Sequence, residues 1–270
     1  MSVINTNVNA LFAQNALKTN TRVMGSAMEQ LSTGSRVNSA KDDAAGLAIG
    51  QNMTSQVRGL NQAVRNLNDG INMIQTAEGA LVETSNMLQR MRELAVQSSN
   101  GTYSTTQRGY LNTEFQALSS QITKIATETK WNDTAVLAAT SFTFQAGAAS
   151  GQTITATVTT TPTAIGLSID ALTVSTAAAS GTAITTLDAA IGTVNTQRAA
   201  FGAAVNQMTY GVDNLTNISS NLSASKSTIM DTDYATASTQ LSKTQIIQQA
   251  ATAMLAQANQ QPQSVLALLK

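Results

Sequence analysis

Apolar residues recur every seven positions in two long stretches of the chain. The first is Met53, Leu60, Leu67, Ile74, Leu81, Leu88 and Ala95; the second is Leu187, Val194, Phe201, Met208, Leu215, Leu222 and Ile229. Val57, Val64 and Ile71 add a partner four residues on in the first stretch, and Ile191, Val205 and Val212 do so in the second. A heptad with partners at i+4 is the seam of a helix that supercoils against another helix. Two seams of equal length, one from each half of the chain, predict two long helices packed antiparallel. The fold class is therefore mainly α, a long coiled-coil rod.

Shorter patterns fill in the rest. Ala10, Leu17, Met24 and Leu31 predict a helix from about Asn5 to Thr33, with Gly34 placed to end it. Asp42 and Asp43 suit the first turn of the next helix, where the dipole favours anions. That helix carries the first seam to about Ser99, and Asn100-Gly101 signals a turn. Ser104 with Gln107 resembles a capping box, opening a third helix with Leu111, Phe115, Leu118, Ile122 and Ile125 on one face. After Trp131 the period changes. Thr153 to Val158 alternates, as does Leu172-Thr173-Val174, and glycines and Pro162 separate the runs. These predict one or two small β-hairpins at the end of the rod. Asp231 and Asp233 mark a break after the second seam, and a last helix runs from about Tyr234 to Gln260, ahead of Pro262.

Composition removes most other architectures. In 270 residues only 4% are aromatic and only 2 are proline, too few for the wide core and shaped loops of an ordinary globular enzyme. Charge is zero overall but unevenly placed. Residues 1–17 carry none, nor does the stretch between Lys243 and Lys270, and Asp170 stands alone between Asp133 and Asp188. The ends combine apolar stripes with neutral Asn, Gln, Ser and Thr and have no charge to keep them solvated. An isolated helix of this kind is marginal in water, so the ends are expected to be covered by further copies of the chain. No basic cluster points to nucleic acid. No run reaches the roughly 18 apolar residues of a membrane span, and no basic segment precedes Val3 and Ile4 as a secretory signal requires.

Candidate chemistry is sparse. Without His or Cys, imidazole-based triads, thiol nucleophiles and imidazole or thiolate zinc sites are excluded. The carboxylate pairs Asp42/Asp43 and Asp231/Asp233 sit at helix starts, where capping outweighs acid–base work. No catalytic, cofactor or metal site is expected. One surface stands out. With Leu88 on the seam and about 100° per residue, Arg90, Leu94 and Gln97 fall near 200°, 240° and 180°, flanked by Asn86 and Glu93. They form a stripe facing away from the seam, with Leu94 as its apolar member.

Three segments together resemble bacterial flagellin: Leu31 to Ile49 (LSTGSRVNSAKDDAAGLAI), Asn66 to Leu81 (NLNDGINMIQTAEGAL) and Leu255 to Leu269 (LAQANQQPQSVLALL). The likeness covers about residues 1–131 and 185–270. Trp131-Asn132-Asp133 stands where the family often has Phe-Asn-Gly, and Lys270 where Arg is common. The short centre makes this a minimal form, without large outer domains. The hook–filament junction protein and a surface adhesin are the alternatives, and only Phe142 and Phe144 could serve as aromatic platforms for a sugar in the central segment.

The resemblance implies three regions. Residues 1–43 and 231–270 would form a terminal coiled coil that lines an inner tube. Residues 44–131 and 185–230 would be the helical core around it, with 132–184 as a short variable hairpin segment. It implies a structural subunit of the flagellar filament, extracellular, exported through the flagellar type III apparatus without a cleaved signal. Its partners would be further copies of itself, an export chaperone at the C-terminal helix, and the filament cap and hook-associated junction proteins. The segment Leu88 to Gln97 with Glu114 also resembles the patch read by the vertebrate Toll-like receptor for flagellin. This implies a receptor surface of Gln89, Arg90, Glu93, Leu94, Gln97 and Glu114.

Overall fold

The computed structural model describes residues 6–267, with side chains for 6–260. Its elements are α1 (Val8–Thr33), α2 (Ala44–Ser99), α3 (Thr105–Glu128), β1 (Lys130–Trp131), β2 (Thr134–Ala135), β3 (Ser141–Gln145), β4 (Thr153–Thr157), α4 (Ala177–Met230) and α5 (Tyr234–Ala267). The chain divides into two compact units, Met1–Val57 with Ser220–Lys270, and Arg58–Ser219.

In the unit Arg58–Ser219, α2 and α4 run in opposite directions side by side. Ser219 Oγ donates to Asn61 Oδ1 at 3.0 Å, Arg198 reaches Glu78 at 3.6 Å, and Arg92 Nε donates to Asp188 Oδ1 at 2.6 Å. As the α2 partner advances along the chain, the α4 partner retreats, which is the antiparallel seam. Leu60, Leu67, Ile74, Leu81, Leu88 and Ala95 are buried from α2; Leu187, Val194, Phe201, Met208 and Leu215 are buried from α4. Each of these except Ala95 stabilises by roughly 1.5–3 kcal/mol when fully withdrawn from water. The capping box forms at Ser104: its N–H donates to Gln107 Oε1 at 2.9 Å and its Oγ accepts from the Gln107 N–H at 3.3 Å. Arg108 is buried and donates to the carbonyls of Asn100 and Tyr103, fixing the turn between α2 and α3.

The central segment differs from its sequence reading in three places. The hairpin β3–β4 lies alongside the helices, not beyond their end. A Cβ at Gly70 would meet Phe144 at 2.9 Å, one at Gly59 would meet Ala148 at 2.9 Å, and one at Gly211 would meet Leu67 at 3.2 Å and Ile154 at 3.6 Å. These helix-interior glycines cost helix propensity, roughly 0.8–1.0 kcal/mol each relative to alanine, and open the space the hairpin fills. Gln197 of α4 then ties down the end of β4. Its side-chain carbonyl accepts from the Thr159 N–H at 3.1 Å and the Thr159 hydroxyl at 3.0 Å, while its amide donates to the Thr157 carbonyl at 2.9 Å.

Second, Leu172-Thr173-Val174 has no regular structure and, among the described residues, pairs with no strand. Side chains replace a strand partner: Asn112 Oδ1 accepts from the Val174 N–H, Gln116 donates to the Leu172 carbonyl at 2.7 Å, and Ser98 Oγ donates to the Val174 carbonyl. Third, residues 177–184 are helical. Ala177, Ala178 and Ala179 are the strongest helix formers, and Thr176 Oγ1 accepts from the Ala179 N–H at 3.2 Å as an N-cap. A second, two-residue hairpin, β1–β2, turns through Asn132 and Asp133, both at positive φ.

In the other unit, α1 pairs with α5. Gly34 ends α1 in the left-handed region at φ 70°, and the chain crosses to the end of α4 through Arg36 N–H to Met230 O (2.6 Å) and Thr232 N–H to Gly34 O (2.9 Å). Asp43 Oδ1 accepts from the Gly46 N–H at 2.8 Å and so caps α2; Asp233 does the same for α5, accepting from the Ala235 and Thr236 N–H groups. Asp42 gathers the Ser39 hydroxyl and backbone, and Asp231 accepts from Ser227 Oγ at the close of α4. Asp43 and Asp233 thus take the helix-start capping role that the carboxylate pairs suggested, whereas Asp42 closes the preceding turn and Asp231 bonds to the last turn of α4.

α5 does not stop before Pro262; it continues to Ala267. The N–H that proline lacks would have met the Ala258 carbonyl, and the Asn7 amide donates to that oxygen instead at 2.8 Å. The expected start of α1 at Asn5, the residues Val3 and Ile4, and Leu268 to Lys270 lie outside the described residues.

Candidate assembly and recognition surfaces

The unit built on α1 and α5 has an apolar surface that it does not cover. Phe12 is 71% exposed, Met254 69% and Ile246 67%, joined by Val8, Leu11, Met28, Tyr234 and Ile247. The buried residues between the two helices are small or polar instead: Ala10, Ala27 and Ala237, with Asn20 donating to the Thr244 carbonyl at 2.7 Å. Of the heptad positions on α1 only Ala10 is buried; Leu17, Met24 and Leu31 are half-buried. A groove lined by Phe12, Asn15, Thr19, Lys243 and Ile247 runs along this surface. Its charge is low, since Lys243 is the last charged side chain before Lys270.

The outward stripe of α2 is only partly outward. Gln89, Arg90, Glu93 and Gln97 are exposed. Arg90 Nη1 donates to Glu93 Oε2 and its Nε to Glu114 Oε1, both at 3.0 Å. The hydrogen bond that Arg90 donates to Glu114, then the one it donates to Glu93, raises the Arg90 pKa from its ordinary value, so the guanidinium is held charged. Gln97 donates to the Tyr103 hydroxyl at 3.0 Å. Leu94, however, is 1% exposed and belongs to the core. A wheel drawn for one partner helix leaves Leu94 facing solvent; the Arg90–Glu114 bond brings α3 to that side of α2 as a further neighbour. The exposed ring nearest Glu114 along α3 is Tyr110, one turn before it and 72% exposed, which the sequence reading passed over.

The seam residues divide as well. Met53, Leu222 and Ile229 are half-buried, whereas the intervening positions are buried. Among the described residues no group of His, Cys, Asp and Glu could hold a metal ion, and no helix is long and apolar enough to cross a membrane.

The family models match at both ends. The bacterial flagellin N-terminal helical region matches residues 4–141 and the bacterial flagellin C-terminal helical region matches residues 184–269. The chain belongs to the bacterial flagellin family. A flagellin of Halalkalibacterium halodurans is 44% identical over 271 residues, covering 99% of this chain and all of the relative. Flagellin A of Vibrio cholerae is 33% identical over an alignment of 375 residues, with 99% of both chains covered. That alignment is longer than this flagellin, so the relative carries sequence that this minimal form lacks. The crystal structure of Bacillus cereus flagellin superposes with a TM-score of 0.51 at 32% identity, covering 60% of this chain and 94% of that one.

This flagellin is a structural subunit of the flagellar filament, an extracellular homopolymer, and the family is one of structural proteins.

Proposed function

We propose a division of labour among three regions of the chain. The terminal helices, residues 1–43 and 231–270, form the inner tube of the filament, where copies bury one another's apolar faces. Residues 44–131 and 185–230 form the helical shell, with the seam from Met53 to Leu88 and from Leu187 to Leu222 holding it folded before assembly. Residues 132–184 form the variable part, facing away from the filament axis. The observation that carries this reading is the exposure of Phe12, Ile246 and Met254 beside an α1–α5 contact whose buried positions, among the described residues of those two helices, are Ala10, Asn20, Ala27, Ala237 and Thr244. Apolar area of that kind is a docking surface in a soluble chain, and the absence of charge at both ends leaves nothing to keep it in water.

Seeded polymerisation tests it. Phe12→Asp and Ile246→Asp place a charge that burial would leave unpaired, and each should block incorporation while far-UV circular dichroism and the melting of α2 and α4 stay unchanged. Incorporation at the parental rate would refute the division.

The rest of the reading rests on the family resemblance. The subunit is not an enzyme. It leaves the cell through the flagellar type III apparatus without a cleaved signal, accompanied by an export chaperone on α5, and meets the cap and hook-associated junction proteins at the filament ends. A vertebrate Toll-like receptor reads the face formed by Gln89, Arg90, Glu93, Gln97 and Glu114. Leu94, being buried, contributes to the fold beneath that face and does not touch the receptor. Arg90→Ala should weaken receptor activation by monomer with the melting temperature unchanged; an undiminished response would remove Arg90 from that face.

A further inference from the structure

The side chain of Asn7 does two things at once. Its carbonyl oxygen accepts from the Ala10 N–H at 3.1 Å, capping α1, and its amide nitrogen donates to the Ala258 carbonyl on α5 at 2.8 Å. The Ala258 carbonyl is no ordinary helix oxygen. Its partner in the i→i−4 ladder would be the N–H of residue 262, and proline has none. α5 nevertheless stays helical through that turn, to Ala267. The one acceptor that Pro262 orphans is the one that Asn7 fills, across 251 residues of sequence.

A second asparagine gives a contrast. Asn20 is buried and donates to the Thr244 carbonyl at 2.7 Å. Residue 248 is glutamine and has an N–H to give to Thr244, so the Asn20 bond is an addition to a complete helix ladder. The Asn7 bond completes an incomplete one. Sliding α1 along α5 would move the Asn7 amide opposite carbonyls that already have helix partners and leave Ala258 without a donor. Buried or partly buried acceptors without partners are costly, and a single polar contact of this kind can fix the register of paired helices.

We propose that Asn7 and Pro262 act as one positioning unit for assembly: the N–H missing at Pro262 makes the Ala258 carbonyl a socket for the Asn7 amide, and this sets the register in which the two ends of each subunit pair. Neither residue need touch the other. Asn7 thereby becomes a positioning residue for polymerisation, acting through the α1–α5 pair, and Pro262 creates the socket.

The proposal predicts a coupling that a merely structural asparagine would not show. The experiment is a double-mutant cycle on the full chain, read as the critical concentration for seeded filament growth. Asn7→Ser keeps an N-cap acceptor of comparable quality but lacks the reach and the amide donor. In the parental background it should raise the critical concentration by about fivefold, the worth of one hydrogen bond. In the Pro262→Ala background the restored N–H takes the Ala258 carbonyl, and Asn7→Ser should then change the critical concentration by less than about twofold. Pro262→Ala alone should assemble. Asn20→Ser serves as the control and should have the same effect in both backgrounds. If Asn7→Ser abolishes growth altogether, Pro262→Ala must restore it. The proposal is overturned if Asn7→Ser has equal effects in both backgrounds, if it has none in either, or if Pro262→Ala alone cannot assemble.

Discussion

The two units use the same heptad grammar and reach opposite outcomes. Between α2 and α4, within Arg58–Ser219, the seam is filled by large side chains withdrawn from water, among them Leu67, Leu81, Leu88, Leu187 and Met208. Between α1 and α5 the residues withdrawn from water are Ala10, Ala27 and Ala237, with the Asn20 amide on the Thr244 carbonyl, while Phe12, Ile246 and Met254 stay exposed. A heptad repeat says that a helix has a partner; the size of the residues that end up inside says whether one partner is enough. Leucine seams complete a core within the chain. Alanine and asparagine seams bring two helices close and leave their large apolar residues for other copies.

That contrast is broken most severely by a charge in the leucine seam. Leu67→Asp or Leu215→Asp would bury an unpaired carboxylate, a loss of several kcal/mol, and should unfold the Arg58–Ser219 unit in monomer, as read by urea denaturation. Leu94→Ala comes next. Because Leu94 is inside the core, truncation should cost about 2–5 kcal/mol by cavity formation and lower the melting temperature. If the variant melted like the parent, Leu94 would lie on the surface after all.

Two glycines of α2 sharpen the comparison on a smaller scale. Gly79→Ala meets nothing within 4 Å and should stabilise the monomer by about 0.5–1 kcal/mol through helix propensity and lower unfolded-state entropy. Gly70→Ala drives a Cβ to 2.9 Å from Phe144 and should destabilise instead, by about 1–3 kcal/mol. Equal signs for the two would mean that the hairpin does not rest on Gly70.

Acid should weaken the helix starts of the α1–α5 unit. The Thr236 side chain, then the backbone N–H groups of Thr236 and Ala235, hold the Asp233 carboxyl below its ordinary 3.8, and the Ser39 hydroxyl does the same for Asp42. A depressed carboxylate contributes stability that is fully present above the unfolded value and is lost as the pH falls through the lower folded value. Filament stability should therefore be flat above 3.8 for these groups and decline below it, and Asp233→Asn should remove part of that decline. The smallest effect belongs to Arg92 and Asp188, an ion pair exposed by 44% and 52%. The Arg92 guanidinium holds the Asp188 carboxyl below its ordinary pKa and Asp188 raises that of Arg92, yet screening by water should leave the melting temperature of Arg92→Ala close to that of the parent.

Much of this was legible in the chain. Strict sevens named the α2–α4 pairing, and Gly34, Asn100-Gly101, Ser104/Gln107 and the four aspartates marked helix ends because their roles are local. What stayed hidden depends on third partners. Leu94 reads as outward to anyone counting one neighbour, yet it is buried, on a helix that also meets α3 through Arg90–Glu114 and the 172–174 segment through Ser98. Leu172 to Val174 alternates like a strand, but its bonds go to Asn112, Gln116 and Ser98, which no period reveals. Gly59 and Gly70 read as flaws in a helix until the hairpin is laid over them. Pro262 reads as a stop because its missing bond is supplied by a residue at the far end of the chain. Gln197 and Tyr110 gave no periodic signal at all.

Hydrogen exchange, compared residue by residue between dilute monomer and filament, tests the difference between the two units most directly. Amides of α2 and α4 within Arg58–Ser219 should be strongly protected in both states, because their leucine seam is complete in one chain. Amides of α1 and α5 should exchange readily in monomer and become protected only in filament. Equal protection of α1 and α5 in the two states would contradict the account, for it would mean that their alanine and asparagine core suffices without a second copy.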